Sequence, residues 1–546
     1  MHQIISVFIR VGSLVFLALG LLSCSKNEPK ATFVFTEATI EDVQAAITSG
    51  ELTCVDIVSG YLKRIETYDQ PSKLNAIIFF NPNAIAAARR IDEKVSSGDS
   101  LGPLFCAPVL LKDNFDTADM PTSGGSIALK NSIPPDDAFM VRKLREADAI
   151  IIAKTNMAEW AFSPKQTVSS SYGVTANAYD LARVPAGSSG GTASGIAASF
   201  GVIGMGSDTG NSIRGPASHL ALFGIRSTLG LTSRDGVIPL AFDRDIPGPM
   251  TRTVTDGAKV FSVVAGYDPA DPYTELGKNR VEEDYTTFLS ESALEGKRIG
   301  VLRALVDTEE ADAEITALFE LALAALQDAG ADIVDDFTIR NFDDHVGKNL
   351  FCRRFRYDMQ SYLASLGNAA PIQDVAEVLV SKDYSPYIEA SLKAFSNYPP
   401  DLHPENFDPP CPDFLKHRER QAFLSDVIGS MDDENIDVVV YPSWTNPPAH
   451  LDKAIEEYKG DNSQRVAPAT GLPAVTVPMG YSYGNLPAGL QILGRPYTEG
   501  LLIGIAYAYE QATEHRVPPA NYPEMDLSPS FLTLGAENLA TTTESK

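Results

Sequence analysis

The stretch Gly206-Ser207-Asp208-Thr209-Gly210-Asn211-Ser212-Ile213-Arg214-Gly215-Pro216-Ala217 decides how the rest of the chain is read. It sets a serine behind a small, turn-prone loop that can aim several backbone N–H groups at one point. Acyl transfer needs that layout, a nucleophile beside donors for a developing oxyanion. The usual base is missing. The seven histidines, His2, His219, His345, His403, His417, His450 and His515, fall outside every catalytic motif. His219 comes nearest and reads as a structural group on the following helix. A lysine can replace histidine once burial lowers its pKa from about 10.4 to near 7–8. Lys112 is placed for this, at the end of Phe105–Leu111, an apolar run that reads as a strand buried on both faces.

Two upstream segments complete the pattern: Pro108-Val109-Leu110-Leu111-Lys112-Asp113-Asn114 and Pro185-Ala186-Gly187-Ser188-Ser189-Gly190-Gly191-Thr192. Together the three segments resemble the amidase signature family of Ser-Ser-Lys hydrolases. The 24 positions between Ser188 and Ser212 agree with that family's spacing. Echoes of the family also appear at Lys154–Glu159, at Gly471-Leu472-Pro473-Ala474 and around Gly489-Leu490-Gln491, so the resemblance spans roughly residues 35–518.

The resemblance implies an α/β amidase signature fold, a large mixed β-sheet wrapped by helices, with a helical insertion at 341–435. It implies hydrolysis of a carboxamide C–N bond through an acyl-enzyme on Ser212. Lys112 is then the base and Ser188 the proton relay, following a cis bond from Gly187. The backbone N–H groups of Thr209, Gly210, Asn211 and Ser212 form the oxyanion hole. Ser189 is expected to brace the relay, and Asp208 and Arg214 to pair as a structural clamp on the loop. No metal or cofactor is implied. The substrate is a small-molecule or peptide amide. One departure stands out: the family usually has Gly-Gly-Ser here, and this chain has Gly210-Asn211-Ser212. Asparagine tolerates left-handed backbone, so the loop can keep its course while the side chain adds a donor or narrows the site.

Three competing readings follow from the same residues. Gly187-Ser188-Ser189-Gly190-Gly191 also satisfies the nucleophile elbow of α/β-hydrolases, with Ser189 attacking as in an esterase. That elbow follows a strand, and Tyr179–Pro185 is poor strand. A second reading is the glutaminase subunit of tRNA-dependent amidotransferases, a cytosolic relative. A third is a catalytically inactive amidase-like surface binding protein, against which stands the presence of all three catalytic residues.

The chain has 546 residues, 44% hydrophobic and 21% charged, with a net charge of −27. That charge disfavours nucleic acid and otherwise describes a soluble surface. Arg10 precedes an apolar run, Val11–Leu22, that is too short for the roughly 20-residue membrane helix and matches a secretory signal. It ends in Leu21-Leu22-Ser23-Cys24, which resembles the bacterial lipoprotein box. The expectation is a signal peptide over 1–23, a lipidated Cys24 and a tether over 24–34. Residues 35–520 then form the amidase domain and 521–546 a C-terminal tail. Ser25 in place of Asp points to the periplasmic side of the outer membrane, with membrane contact only through the lipid. Cys54, Cys106, Cys352 and Cys411 show no metal spacing and are too few for a disulfide framework, which leaves bridges and free thiols both open. The sequence does not set the oligomeric state.

Capping boxes at Thr39-x-x-Asp42 and Thr53-x-x-Asp56 predict two entry helices. Strand and helix alternate over 74–154, over 296–340 and from 438 onward. Trp160, Trp444 and Phe115 read as core.

Overall fold

The computed structural model describes residues 33–525. The expected signal peptide, Cys24 and the tail beyond 525 lie outside those residues. Both predicted capping boxes are present. Thr39 caps the helix Ile40–Thr48, Thr53 caps Cys54–Ser72, and in each the third helical residue returns an aspartate to the cap backbone. These helices bury the apolar stripes Ile40, Val43, Ile47 and Ile57, Tyr61, Ile65.

The strands are β1 (Ile77–Phe80), β2 (Pro108–Lys112), β3 (Ile150–Thr155), β4 (Val168–Ser169), β5 (Gly173–Val174), β6 (Ile203–Asp208), β7 (Phe223–Arg226), β8 (Ile246–Thr251), β9 (Arg298–Val301), β10 (Asp332–Val334), β11 (Val438–Pro442), β12 (Ala474–Ser482) and β13 (Leu486–Leu493). Eleven of them form one sheet in the order β1-β3-β2-β6-β8-β7-β12-β13-β11-β9-β10, and β4 and β5 form a separate pair. The large sheet is mixed. β3, β2 and β6 run parallel, as do β11, β9 and β10, while β8, β7, β12 and β13 run antiparallel to their neighbours. Every residue of β2, β3, β6, β7, β8, β11 and β13 is buried. This is the expected fold class. The parallel register aligns Leu111 of β2 with Met205 of β6, so the carboxyl ends of both strands open at the same edge of the sheet. Open α/β sheets bind their ligands at that edge.

Three strands carry no local signal. Glycine interrupts β6, glycine and proline interrupt β8, and β7 is four residues long with one glycine, so they lack the apolar run or alternation that marks a strand. Pairing across the sheet satisfies their backbone instead. The alternation expected over 296–340 is present as β9, the helix Ala313–Asp328 and the short β10. Segment 341–435 is helical, with α-helices at Phe342–Val346, Phe355–Ser365, Ala376–Ser381, Glu389–Phe395 and Arg418–Asp433. Phe355, Met359, Tyr362 and Leu363 pack on Trp160, Met157 and Ile238, so the segment shares a core with the loops that follow β3 and β7.

Two features lie beyond any local reading. Cys54 pairs with Cys106 and Cys352 with Cys411, with Cα–Cα distances of 5.7 and 5.8 Å. The first bridge ties an entry helix to the start of β2. In addition, residues 521–524 belong to the packed body rather than to a tail. Tyr522 is buried, and Glu524 accepts from the backbone N–H groups of Phe35 and Thr36.

The Arg64 guanidinium joins these distant pieces. Fully buried, it donates to the carbonyls of Ala198, Ser199, Tyr522 and Pro523. Arg64→Met keeps the stem but orphans four acceptors, and we expect a loss of about 3 kcal/mol or more in stability. Urea unfolding checks this; an unchanged midpoint would refute it.

Candidate active site

Lys112 closes β2 and Asp208 closes β6, and the chain between Asp208 and the helix Arg214–His219 carries Ser212. Lys112 is fully buried. Its Nζ lies 2.7 Å from Ser188 Oγ, 2.8 Å from Ser207 Oγ and 3.2 Å from the Ser207 carbonyl. Burial drives its pKa down, and the raising fields of Asp245 and Asp208 only partly offset this, leaving it at about 7. A neutral amine has two N–H groups and one lone pair. The Ser207 carbonyl takes one N–H, and the Ser207 and Ser188 hydroxyls share the other N–H and the lone pair.

Ser207 is a site residue to which the sequence assigns no role. Asn114 Nδ2 donates to its Oγ at 2.9 Å, which orients that hydroxyl toward Lys112. Its position directly before Asp208 at the end of a buried strand is the one available signal.

The peptide bond between Gly187 and Ser188 is cis, as expected. A side chain on Gly187 would collide with the Ser163 and Gln166 carbonyls, so only glycine lets the loop 163–166 approach this closely. Ser188 is fully buried, and Lys112 is its hydrogen-bond partner. Ser189 differs from its expected place. Its hydroxyl donates to the Ser207 carbonyl at 3.3 Å, so it braces the lysine's anchor rather than Ser188. It is buried, and no strand precedes it between β5 and the helix Gly190–Ala197, so the elbow geometry is not formed.

Asp208 and Arg214 form the expected clamp, with a third member. Asp208 accepts from Arg214 Nε and Nη2 at 3.1 Å each and from Arg226 Nη1 at 3.0 Å. It also caps the backbone N–H groups of Ile213 and Arg214 at 3.2 and 3.4 Å. Burial pushes its carboxyl up, but the two guanidiniums outweigh burial and hold it at about 2. Arg214 Nη2 donates to the Gly210 carbonyl at 2.7 Å, which closes the loop.

Ser212 is 4% exposed. Its hydroxyl lies 3.5 Å from Asn211 Oδ1 and is not hydrogen-bonded to Ser188. Among the described residues, the N–H groups of Thr209, Gly210, Asn211 and Ser212 have no protein acceptor, so four successive donors are free beside the Ser212 hydroxyl. Asn211 does not use the left-handed backbone that asparagine tolerates; its φ is negative. Its Nδ2 is already engaged, at 2.9 Å from Asp461 Oδ2 and 3.3 Å from the Pro164 carbonyl. It therefore adds no free donor.

The remaining candidates are structural. His219 is buried, burial lowers its pKa to about 3, and it packs against Trp444 with ring centroids 4.5 Å apart and the planes tilted by 38°. Trp160 and Phe115 are buried core. Among the described residues, no three His, Cys, Asp or Glu side chains group in a way that could hold a metal.

A family model described as Amidase matches residues 56–503. The chain is 33% identical to a subunit of the glutamyl-tRNA(Gln) amidotransferase of Microcystis aeruginosa, over 88% of this chain and 99% of that protein. It is 30% identical to a probable amidase of Arabidopsis thaliana, over 92% and 95%. Among solved structures, the native peptide amidase of Stenotrophomonas maltophilia superposes with a TM-score of 0.79 at 33% identity, covering 90% of this chain and all of that one. A buried lysine joined to a serine, facing a loop with a second serine and free N–H donors, is equipped for serine-based amide chemistry, and with these likenesses the chain belongs to the amidase signature family, enzymes that hydrolyse amide C–N bonds.

Proposed function

We propose that Ser212 is the nucleophile, Lys112 the base and Ser188 the relay between them. The observation that carries this reading is the buried Lys112 Nζ, 2.7 Å from Ser188 Oγ and with a pKa of about 7. As Ser212 attacks the substrate carbonyl, its proton passes to Ser188 Oγ while the Ser188 proton passes to the Lys112 lone pair. The carbonyl oxygen becomes an oxyanion held by the free N–H groups of residues 209–212. The proton then returns through Ser188 to the leaving nitrogen, the C–N bond breaks, and an acyl ester remains on Ser212. Water then attacks the acyl ester and gives a proton to the same relay, the bond between the acyl carbon and Ser212 Oγ breaks as the relay returns that proton to Ser212, and the acid leaves. The Ser212 hydroxyl must turn from Asn211 Oδ1 toward Ser188 for the first step. Catalytic hydrogen bonds commonly tighten only when substrate is bound.

The substrate in this reading is a carboxamide of a small molecule or peptide, and the likeness to a peptide amidase supports it. Export with a lipid on Cys24 is also part of the reading. Its supports are the Leu21–Cys24 box and the two disulfides, which persist in oxidising compartments.

Ser212→Ala and Lys112→Ala are expected to lower kcat by about a thousandfold or more while the protein stays folded. Fluorophosphonate labelling followed by peptide mass spectrometry should place the adduct on Ser212. An adduct on another serine, or wild-type turnover in folded Ser212→Ala, overturns the mechanism. Because the neutral amine is the active form, kcat/KM should rise as pH increases through about 7 and level off above it. A profile that falls through that range contradicts the assignment of Lys112. Cys24→Ala should move the protein from the membrane fraction to the soluble fraction; retention on the membrane would count against the lipid anchor.

A further inference from the structure

Asn211 puts a side chain where the family usually has glycine, and that side chain is both buried and engaged. It is 1% exposed. Its Nδ2 donates to Asp461 Oδ2 at 2.9 Å and to the Pro164 carbonyl at 3.3 Å. With both acceptors on the NH2 group, the amide oxygen is left to the Ser212 hydroxyl, 3.5 Å away. Gly215 makes the room for this: a Cβ there would lie 2.8 Å from Asn211 Nδ2.

The Pro164 carbonyl has a second donor. The Gly187 N–H reaches it at 3.0 Å, one residue before Ser188. The nucleophile loop and the relay loop therefore hang on one carbonyl. The other end of the link is anchored as well, because Asp461 Oδ2 also accepts from the Tyr458 hydroxyl at 2.9 Å and from Gln464 Nε2 at 3.0 Å. Asp461 Oδ1 is buried and has no partner among the described residues. A buried carboxylate with one oxygen unpaired costs stability rather than adding it, so its use lies in what it holds. Burial pushes the Asp461 carboxyl up to about 6, against the hydrogen bonds from Gln464 and Tyr458 and the charge of Arg214, while Asp208 adds to the rise. The Lys165 ammonium stands 4.8 Å from the centre of the Tyr458 ring. Above that pH Asn211 donates to an ionised acceptor, the stronger kind of hydrogen bond.

We propose that Asn211 is a positioning residue for the reaction, a strut whose NH2 ties the Ser212 loop to Asp461 and to the carbonyl that also carries Gly187, so that Ser212 and Ser188 keep the separation that proton transfer requires. The proposal rests on Ser212 being the nucleophile and Ser188 the relay. The loop must hold its place while the Ser212 hydroxyl turns, and a misplacement of about 1 Å can cost about a hundredfold in rate.

The test begins with Asn211→Ala, which the negative φ at this position accommodates. We expect kcat to fall by about tenfold or more with KM within about threefold, and fluorophosphonate labelling of Ser212 to slow in step. Asp461→Ala should do the same. The double variant should be slower than the slower single by no more than about twofold, because both changes remove one strut. Asp461→Asn keeps an oxygen acceptor and should hold kcat within about threefold of wild type. Unchanged kcat and labelling in folded Asn211→Ala, or losses that multiply in the double variant, overturn the strut. Asn211→Asp keeps the shape and decides the matter if the alanine variants do not fold. It sets two carboxylates together, which share a proton at low pH and repel once it is lost, so kcat relative to wild type should fall by about fivefold or more from about pH 6 to about pH 9. A negative charge acting only through its field would raise the Lys112 pKa and make that ratio climb. A flat or climbing ratio overturns the proposal. Labelling of the wild type at a serine other than Ser212 would instead refute the nucleophile on which the proposal rests.

Discussion

The site depends on one buried amine. Lys112 sits at the closed end of a strand with no side chain of opposite charge in contact, held only by two hydroxyls and one carbonyl. In water such an amine is protonated at neutral pH and useless as a base. Removing water makes the charged form expensive and the neutral form ordinary. The cost of that removal is spread over the fold: both faces of β2 must be covered, and Ser188 must reach the amine through a loop that only glycine at 187 allows. Asn114 and Ser189 then keep the two partners from Ser207, its hydroxyl and its carbonyl, in place.

A few ångströms away the opposite problem is solved by the opposite means. Asp208 is as deeply buried as Lys112, yet it stays ionised because two guanidiniums and two backbone N–H groups surround it. This separation assigns the roles. The lysine lacks a counter-ion and can change its protonation, whereas the aspartate has two and cannot, so it holds the shape of the loop that carries Ser212.

Much of this is readable from local sequence. The three glycine- and serine-rich segments identify Lys112, Ser188 and Ser212, and the unbroken apolar run before Lys112 announces its burial. The Asp208–Arg214 pair is legible because opposite charges six residues apart flank one tight loop. Arg226 is not, because it reaches Asp208 from β7, which joins β6 only through β8. Ser207 is hidden for a similar reason: nothing local says that a strand residue faces a lysine 95 positions earlier. Asn211 shows the limit most clearly. Its type suggests a left-handed turn or an added donor, but its partners are a proline carbonyl and an aspartate 250 residues away, and they leave neither.

By itself, then, the sequence determined the elements with strong local codes: the capped entry helices, the apolar strands and the order of the catalytic motifs. Hydrogen bonds to a cap and the period of apolar residues act over a few residues and need no partner elsewhere. Only the tertiary structure decided the strands β6 to β8, the pairing of the four cysteines, the packing of residues 521–524 against Arg64, and which hydroxyl each polar group meets. Those outcomes come from long-range closure, in which backbone groups, thiols and charges find partners that chain folding brings together from tens to hundreds of residues apart, and no short stretch of sequence records where the partner will be.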